Sequence, residues 1–386
     1  MKIRTHLRSL PPYRPIEPFE VLSARIGREP SQIVKLDANE NPYGPLPAVR
    51  EALGNLEFPH IYPDPESRAL RRSLAGFTGV GEEYLLAGAG ADELLDLLMR
   101  VFVEPGDCIL SCPPTFGMYA FDAELNAGRC IEVPRNPDFS LDMEEIRNAA
   151  ETYQPKILFI ASPNNPDGSM LDKTRIEDLL ALPVLVVLDE AYIEFADEDL
   201  GMTTSLIREV PSRQNLVILR TFSKWAGLAG LRIGYGAFPL WLMPTLWKSK
   251  QPYNVNVAAS VAAQVSLQHS DELQAIVRCL QAERTRLLRA LQGIPYLEPY
   301  PTQSNFILCK VLGRDAARLK GKLAEEYGIF VRYFDKPALR DHIRISVGRP
   351  QDTTALIEAL KKESTSLGTT PTGDQTLEGW SNNATS

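Results

Sequence analysis

The chain has 386 residues, long enough for two packed domains around a large apolar core. With 44% hydrophobic and 23% charged residues it has the composition of a globular protein, and a net charge of −8 weighs against nucleic-acid or membrane partners. Its cysteines (Cys108, Cys112, Cys130, Cys279, Cys309) are odd in number, scattered and without CxxC spacing, which argues against a disulfide framework or zinc site, so no metal centre is expected.

In chain order, Lys2, Arg4 and Arg8 are not followed by an apolar stretch, so no secretory signal or membrane anchor is expected and a cytoplasmic location is. Pro11, Pro12, Pro15 and Pro18 exclude regular helix and predict an extended arm. Short apolar runs then alternate with amphipathic stretches, predicting an α/β arrangement around a largely parallel sheet. Tyr84–Leu86 predicts a strand, after which Gly88-Ala89-Gly90-Ala91-Asp92-Glu93 opens a helix over Asp92–Phe102. Amides at that helix start form a phosphate cup. The GxG fragment also suggests a dinucleotide site, but Glu93 stands at the third glycine position, so a phosphate without a second nucleotide fits better.

The run Cys108–Leu110 predicts another strand, and Pro113-Pro114-Thr115-Phe116-Gly117-Met118-Tyr119 brings aromatics to its end. Phe116 reads either as a cover for a heteroaromatic ring or as a core aromatic. Ile157–Ala161 leads into Ser162-Pro163-Asn164-Asn165-Pro166-Asp167-Gly168, a tight turn by composition in which Asn165 is placed to donate to a cofactor oxygen. Val184–Leu188 ends in Asp189-Glu190-Ala191-Tyr192. A carboxylate leaving an apolar strand is costly unless it meets a cation such as a protonated pyridine nitrogen, or caps a helix. Leu216–Leu219 leads to Thr221-Phe222-Ser223-Lys224-Trp225-Ala226-Gly227-Leu228-Ala229-Gly230-Leu231-Arg232, before a further run around Ile233–Phe238. A lysine framed by hydroxyls, small residues and an arginine suits Schiff-base chemistry, with Ser223 and Arg232 able to bind a phosphate; a solvated lysine on a surface loop is the plainer reading. Val257 to about Leu291 carries one helical pattern without Gly or Pro, expected to connect two domains. Gly293 and Pro295 open an α+β region ending near Lys362, and the Ser-, Thr-, Gly- and Asn-rich stretch from Glu363 to Ser386 is expected to be disordered.

Taken together and in this order, these segments resemble the fold-type I pyridoxal-5′-phosphate-dependent aminotransferases, and within them the histidinol-phosphate aminotransferase branch. The match runs from about Tyr13 to about Leu360. It includes Lys35-Leu36-Asp37-Ala38-Asn39-Glu40-Asn41-Pro42-Tyr43-Gly44, Tyr62-Pro63-Asp64-Pro65, Val331-Arg332-Tyr333-Phe334 and Ile343-Arg344-Ile345-Ser346-Val347-Gly348. The resemblance implies a large domain with a mixed, mostly parallel sheet between helices and a smaller α+β domain. On that basis residues 1–41 form an arm and part of the small domain, 42–256 the cofactor-binding domain, 257–362 the connector helix and small domain, and 363–386 a tail.

Carried over position by position, the resemblance implies that Lys224 forms the Schiff base, Asp189 pairs with the pyridinium nitrogen, and Asn165 and Tyr192 bond the phenolic oxygen. Phe116 stacks on the ring, and Ala91, Asp92, Ser223 and Arg232 hold the phosphate, joined by Tyr62 from a second subunit. A homodimer with shared sites follows. Arg344 resembles the substrate-carboxylate anchor, and Tyr13, Arg332 and Arg344 the pocket for a substrate phosphate, while Asn165 faces cofactor and substrate alike. Asp167 stands where Thr is usual, Phe116 where Tyr is usual, and Asp37 where Asn is frequent; Phe116 lacks any polar contact a tyrosine would make. The implied reaction is reversible, ping-pong amino transfer between glutamate and imidazole-acetol phosphate, giving histidinol phosphate and 2-oxoglutarate, as in histidine biosynthesis. Threonine-phosphate decarboxylase and aromatic amino-acid aminotransferase activities on the same fold remain alternatives, as do a non-catalytic cofactor-binding regulator and, on the GxG fragment alone, a nicotinamide oxidoreductase.

Overall fold

A computed structural model of the chain describes residues 2–12 and 17–365. Twelve strands follow in chain order among these residues: β1 (Val34–Leu36), β2 (Leu85–Gly88), β3 (Cys108–Ser111), β4 (Arg129–Glu132), β5 (Ile157–Ala161), β6 (Leu185–Asp189), β7 (Leu216–Thr221), β8 (Gly234–Ala237), β9 (Leu297–Pro299), β10 (Phe306–Val311), β11 (Ile329–Tyr333) and β12 (His342–Ser346). Seven of them form a sheet in the order β2-β8-β7-β6-β5-β3-β4. All its pairings are parallel except those of β8, which runs antiparallel to both neighbours.

Strands β5, β6 and β7 are buried at every position, which is why they read as unbroken apolar runs. Their alternation divides the core. Leu185, Val187, Val217 and Leu219 pack with Leu94, Leu95 and Leu98 of the helix Ala91–Phe102. Val186, Leu188 and Ile218 face the opposite side, in the cluster that also holds Leu273 and Val277 of the helix Ser270–Gln292. With both faces covered, the polar residues that end these strands all emerge at one edge.

The remaining five strands form a second sheet in the order β1-β11-β12-β10-β9. β1 pairs parallel with β11, and the other pairings are antiparallel. The sheet carries the helices Ala316–Tyr327 and Pro350–Thr365. Among the described residues no helix is long and apolar enough to cross a membrane. Cys108, Cys112 and Cys309 are buried and form no disulfide.

Three local expectations are corrected. The pattern from Val257 to Leu291 is two helices, Val257–Gln268 and Ser270–Gln292, separated at His269, whose backbone (φ −108°, ψ 34°) leaves helical geometry. The opening arm is not extended throughout: a 3₁₀ turn forms at Thr5–Arg8, and a helix starts at Phe19 directly behind Pro18. Glu363, expected in the tail, lies in the last helix and is buried, its carboxylate accepting from Lys322 Nζ (2.9 Å) and Tyr327 Oη (3.1 Å). Residues 366–386, the rest of that tail, and Tyr13 lie outside the described residues.

Candidate active site

Where β5, β6 and β7 end, the chain turns into polar segments that enclose a cavity of about 150 Å³. Its walls include Ala91, Asp92, Phe116, Asn165, Asp189, Tyr192, Ser223, Lys224 and Arg232, which the sequence places in five separate segments. Small residues, among them Ala161, Ala191 and Ala229, line the rest and leave room for a flat ring.

Asp189 is the last residue of β6 and is 6% exposed. Its Oδ2 accepts from Tyr119 Oη at 2.7 Å and its Oδ1 from the Ala191 amide at 3.1 Å. Burial pushes its carboxyl up to about 6, against the lowering effect of those two donors. Among the described residues no lysine, arginine or histidine lies within ion-pair distance of it. A buried carboxylate held by two neutral donors and facing a cavity suits a cation supplied by a ligand. Tyr119, on the helix Met118–Leu125, was not expected in this role. It also meets Phe116 edge to face at 5.7 Å, fixing the ring that walls the cavity.

Lys224 enters from the turn after β7. Its Nζ donates to the Ala38 carbonyl at 3.1 Å and lies 6.0 Å from the centre of the Tyr192 ring. Tyr192 Oη in turn accepts from Asn39 Nδ2 at 3.0 Å, so the segment after β1 closes the site from the second sheet. Asn39 takes a left-handed backbone (φ 57°), with its amide and Oδ1 both bound to Ser346 Oγ.

Opposite Lys224, the start of the helix Ala91–Phe102 and Arg232 form an anion cup. Arg232 Nη2 meets Asp92 Oδ2 at 2.9 Å, and its Nη1 approaches Ser223 Oγ at 3.5 Å. Asp92 therefore aims the guanidinium, while the helix amides supply donors. Gly90 has φ +87°, and a Cβ there would lie 2.5 Å from Arg232 Nη2, so only glycine lets the arginine in. Glu93 secures the loop from behind by accepting from the Ala89 amide (2.6 Å) and Asn254 Nδ2 (2.8 Å).

Asn165 is tied to the second sheet: its Oδ1 accepts from Arg344 Nη1 at 2.5 Å, and Arg344 Nη2 reaches the Asp37 carbonyl at 2.9 Å. Its neighbour Asn164 stiffens the turn, accepting from Thr115 Oγ1 (2.8 Å) and donating to the Pro114 carbonyl (3.1 Å). Arg332 sits directly opposite Arg344 across β11 and β12, and both guanidinium groups flank the Phe334 ring at 5.7 and 5.6 Å. Arg332 itself does not line the cavity. Nor does Tyr62, which is 80% exposed and stacks on Tyr253 at 4.7 Å.

The buried carboxylate, amine, stacking aromatic and anion cup suit a planar, cationic heteroaromatic ring bearing a phosphate. The relatives agree. A histidinol-phosphate aminotransferase of Nicotiana tabacum, named chloroplastic, is 55% identical over 93% of this chain and 86% of its own length. One from Roseiflexus castenholzii is 49% identical over 93% of this chain and 97% of its own. The crystal structure of a histidinol-phosphate aminotransferase from Sinorhizobium meliloti, in complex with pyridoxal-5′-phosphate, matches with a TM-score of 0.85 at 29% identity, covering 95% of this chain and 98% of that one. Residues 31–360 match the model of the family described as aminotransferase class I and II, which takes in both sheets and every wall of the cavity: the chain belongs to that family.

Proposed function

We propose that the chain transfers an amino group reversibly between glutamate and imidazole-acetol phosphate, giving histidinol phosphate and 2-oxoglutarate, with pyridoxal 5′-phosphate as its cofactor. The observation that carries the choice of substrate is the Arg332–Arg344 pair. Like charges opposite one another on adjacent strands repel, an arrangement that an anion between or beside them relieves. Arg344 is bonded to Asn165, a wall of the cavity, so such an anion belongs to a molecule reacting there.

When bound, the cofactor supplies an aldehyde that takes up the amino group and a ring that spreads the charge left on the substrate α-carbon. Asp189, buried and facing the cavity, would accept from the cofactor's ring N–H and keep that proton in place. Lys224 Nζ would hold the cofactor's aldehyde end and, when free, would serve as the base for the proton on the substrate α-carbon. Tyr192 and Asn165 would orient its phenolic oxygen, Phe116 would cover its ring, and Arg232, Ser223 and the amides at Ala91 and Asp92 would hold its phosphate. Arg344 binds the carboxylate of glutamate in one half-reaction. With Arg332 and Tyr13 it binds the phosphate of the other substrate.

The site is completed in a homodimer, with Tyr62 reaching the partner's cofactor phosphate. The exposed Tyr62, and Phe58 (58%) and Ile61 (54%) beside it, form an aromatic and aliphatic surface suited to burial against a second copy. A cytoplasmic location belongs to the same proposal; plant relatives are named chloroplastic, and cell fractionation decides.

Three assays on the purified enzyme test the reading together. Glutamate-dependent amination of imidazole-acetol phosphate should exceed that of phenylpyruvate, and threonine phosphate should release no carbon dioxide. Reduction with borohydride should leave the cofactor on the peptide containing Lys224. Carbon dioxide release, or label on another lysine, overturns the reading.

A further inference from the structure

Beneath the cavity, on the core side of the sheet, lies a charged group with no part in the chemistry above. Arg220 and Glu190 meet at 3.0 Å, with side chains 0% and 4% exposed. Glu194, with a side chain 0% exposed, places Oε1 3.9 Å from Arg220 Nη1. The guanidinium also reaches the Gly201 carbonyl (3.1 Å), Tyr235 Oη (3.4 Å) and Met202 Sδ (3.5 Å). Glu190 takes two further donors, Ser205 Oγ at 2.5 Å and the Leu206 amide at 3.2 Å. Both Glu194 oxygens are buried without a hydrogen-bond partner.

The positions of these residues along the strands give the group its interest. Glu190 directly follows Asp189, and its amide donates to the Leu219 carbonyl at 2.9 Å. Arg220 directly precedes Thr221, a wall of the cavity three residues before Lys224. Side chains alternate along a strand, so Asp189 and Thr221 face the cavity while Glu190 and Arg220 face away. The ion pair therefore clamps together the two strand ends that carry the carboxylate and the amine. Burial alone would lower the Arg220 guanidinium, but Tyr235, Glu190 and Glu194 outweigh that and raise it. Burial pushes the Glu194 carboxyl up to about 8, with Arg220 opposing and Glu190 and Asp197 adding to the rise.

We propose that Glu190 and Arg220 are positioning residues for amino transfer: as a buried ion pair they fix Asp189 relative to Lys224 from behind the sheet. The inference rests on the roles given to Asp189 and Lys224 above. Its test uses the cofactor-loaded enzyme and two variants, Glu190→Gln, which removes the nearer counter-charge of Arg220, and the double variant Glu190→Leu/Arg220→Met, which removes both charges of the pair at similar volume. Three quantities are read: the melting temperature, kcat and KM for each half-reaction, and the pH midpoint of the borohydride-sensitive absorbance.

Misalignment of reacting groups lowers kcat, so both variants should lose about 10- to 100-fold in kcat. KM should stay within about threefold, since neither residue touches substrate. Loss of the Glu190 negative charge should also move the absorbance midpoint down by about half a pH unit, and the double variant should return it towards the wild-type value. If Glu190→Gln does not fold, the double variant reads the same loss of kcat. Folded variants with a lowered melting temperature but wild-type kcat and midpoint would show a purely structural pair and overturn this inference alone. A wild-type enzyme without borohydride-sensitive absorbance would overturn the underlying reading as well.

Discussion

At the scale of single residues, Asp189 has opposite value with and without a cofactor. Its ordinary carboxyl titrates near 3.8, and burial raises it to about 6 in the folded chain. Between these values the folded protein binds a proton that the unfolded chain has released, so the cofactor-free protein loses stability as pH rises through the window. The loss is absent below about 4 and complete above about 6, and is on the order of 2–3 kcal/mol. Asp189→Asn should therefore melt higher than wild type at pH 7.5 in the cofactor-free form and equally at pH 4, while losing amino transfer in the loaded form. Thermal melts at the two pH values check this; an equal gap at both would show that the carboxylate is not the cause. Asp189 could be singled out in the sequence because a charge ending an apolar strand is a local anomaly. Tyr119 could not: it hydrogen-bonds Asp189 from 70 residues away, and a tyrosine on a helix carries no local mark of its partner. Asn39 and Ser346, which brace Tyr192, escape for the same reason, although both lie within segments that carry the family resemblance.

At the scale of elements, legibility follows burial. Strands β5, β6 and β7 stand within a residue or two of the apolar runs at Ile157, Val184 and Leu216, because a strand covered on both faces has no polar position to blur its ends. The break at His269 has no such signature: it contains neither Gly nor Pro, and the chain turns through one residue while both helices keep apolar faces. The burial of Glu363 was equally hidden, because its partners Lys322 and Tyr327 belong to another helix. The anion cup shows the reverse, an element whose purpose lies in one glycine. Gly90→Ala would force a positive φ on alanine and push Arg232 off its place beside Asp92. Affinity for pyridoxal 5′-phosphate should fall about 10-fold or more, as loss of a charge-assisted contact predicts. Fluorescence titration of the cofactor-free variant measures it; unchanged affinity would place the phosphate elsewhere.

At the scale of the whole molecule, the homodimer proposed above, with Tyr62 completing its partner's site, has a consequence that neither subunit meets alone. Tyr62→Ala should weaken and Lys224→Ala should abolish turnover in the respective homodimers. Co-folding the two variants gives a mixed dimer in which one site combines an intact Lys224 with the partner's intact Tyr62. That dimer should recover about half the wild-type activity, one site of two. No recovery would mean that Tyr62 serves its own subunit. The second sheet carries a different consequence. Its edge strand β1 pairs with β11, about 300 residues further along the chain, a separation that delays closure. During synthesis the seven-stranded sheet can assemble first, while β1 waits as an unsatisfied edge, open to pairing with other nascent chains. Chains released from ribosomes stalled before Ile329 should hence clump, and those that include the last helix, Pro350–Thr365, should not.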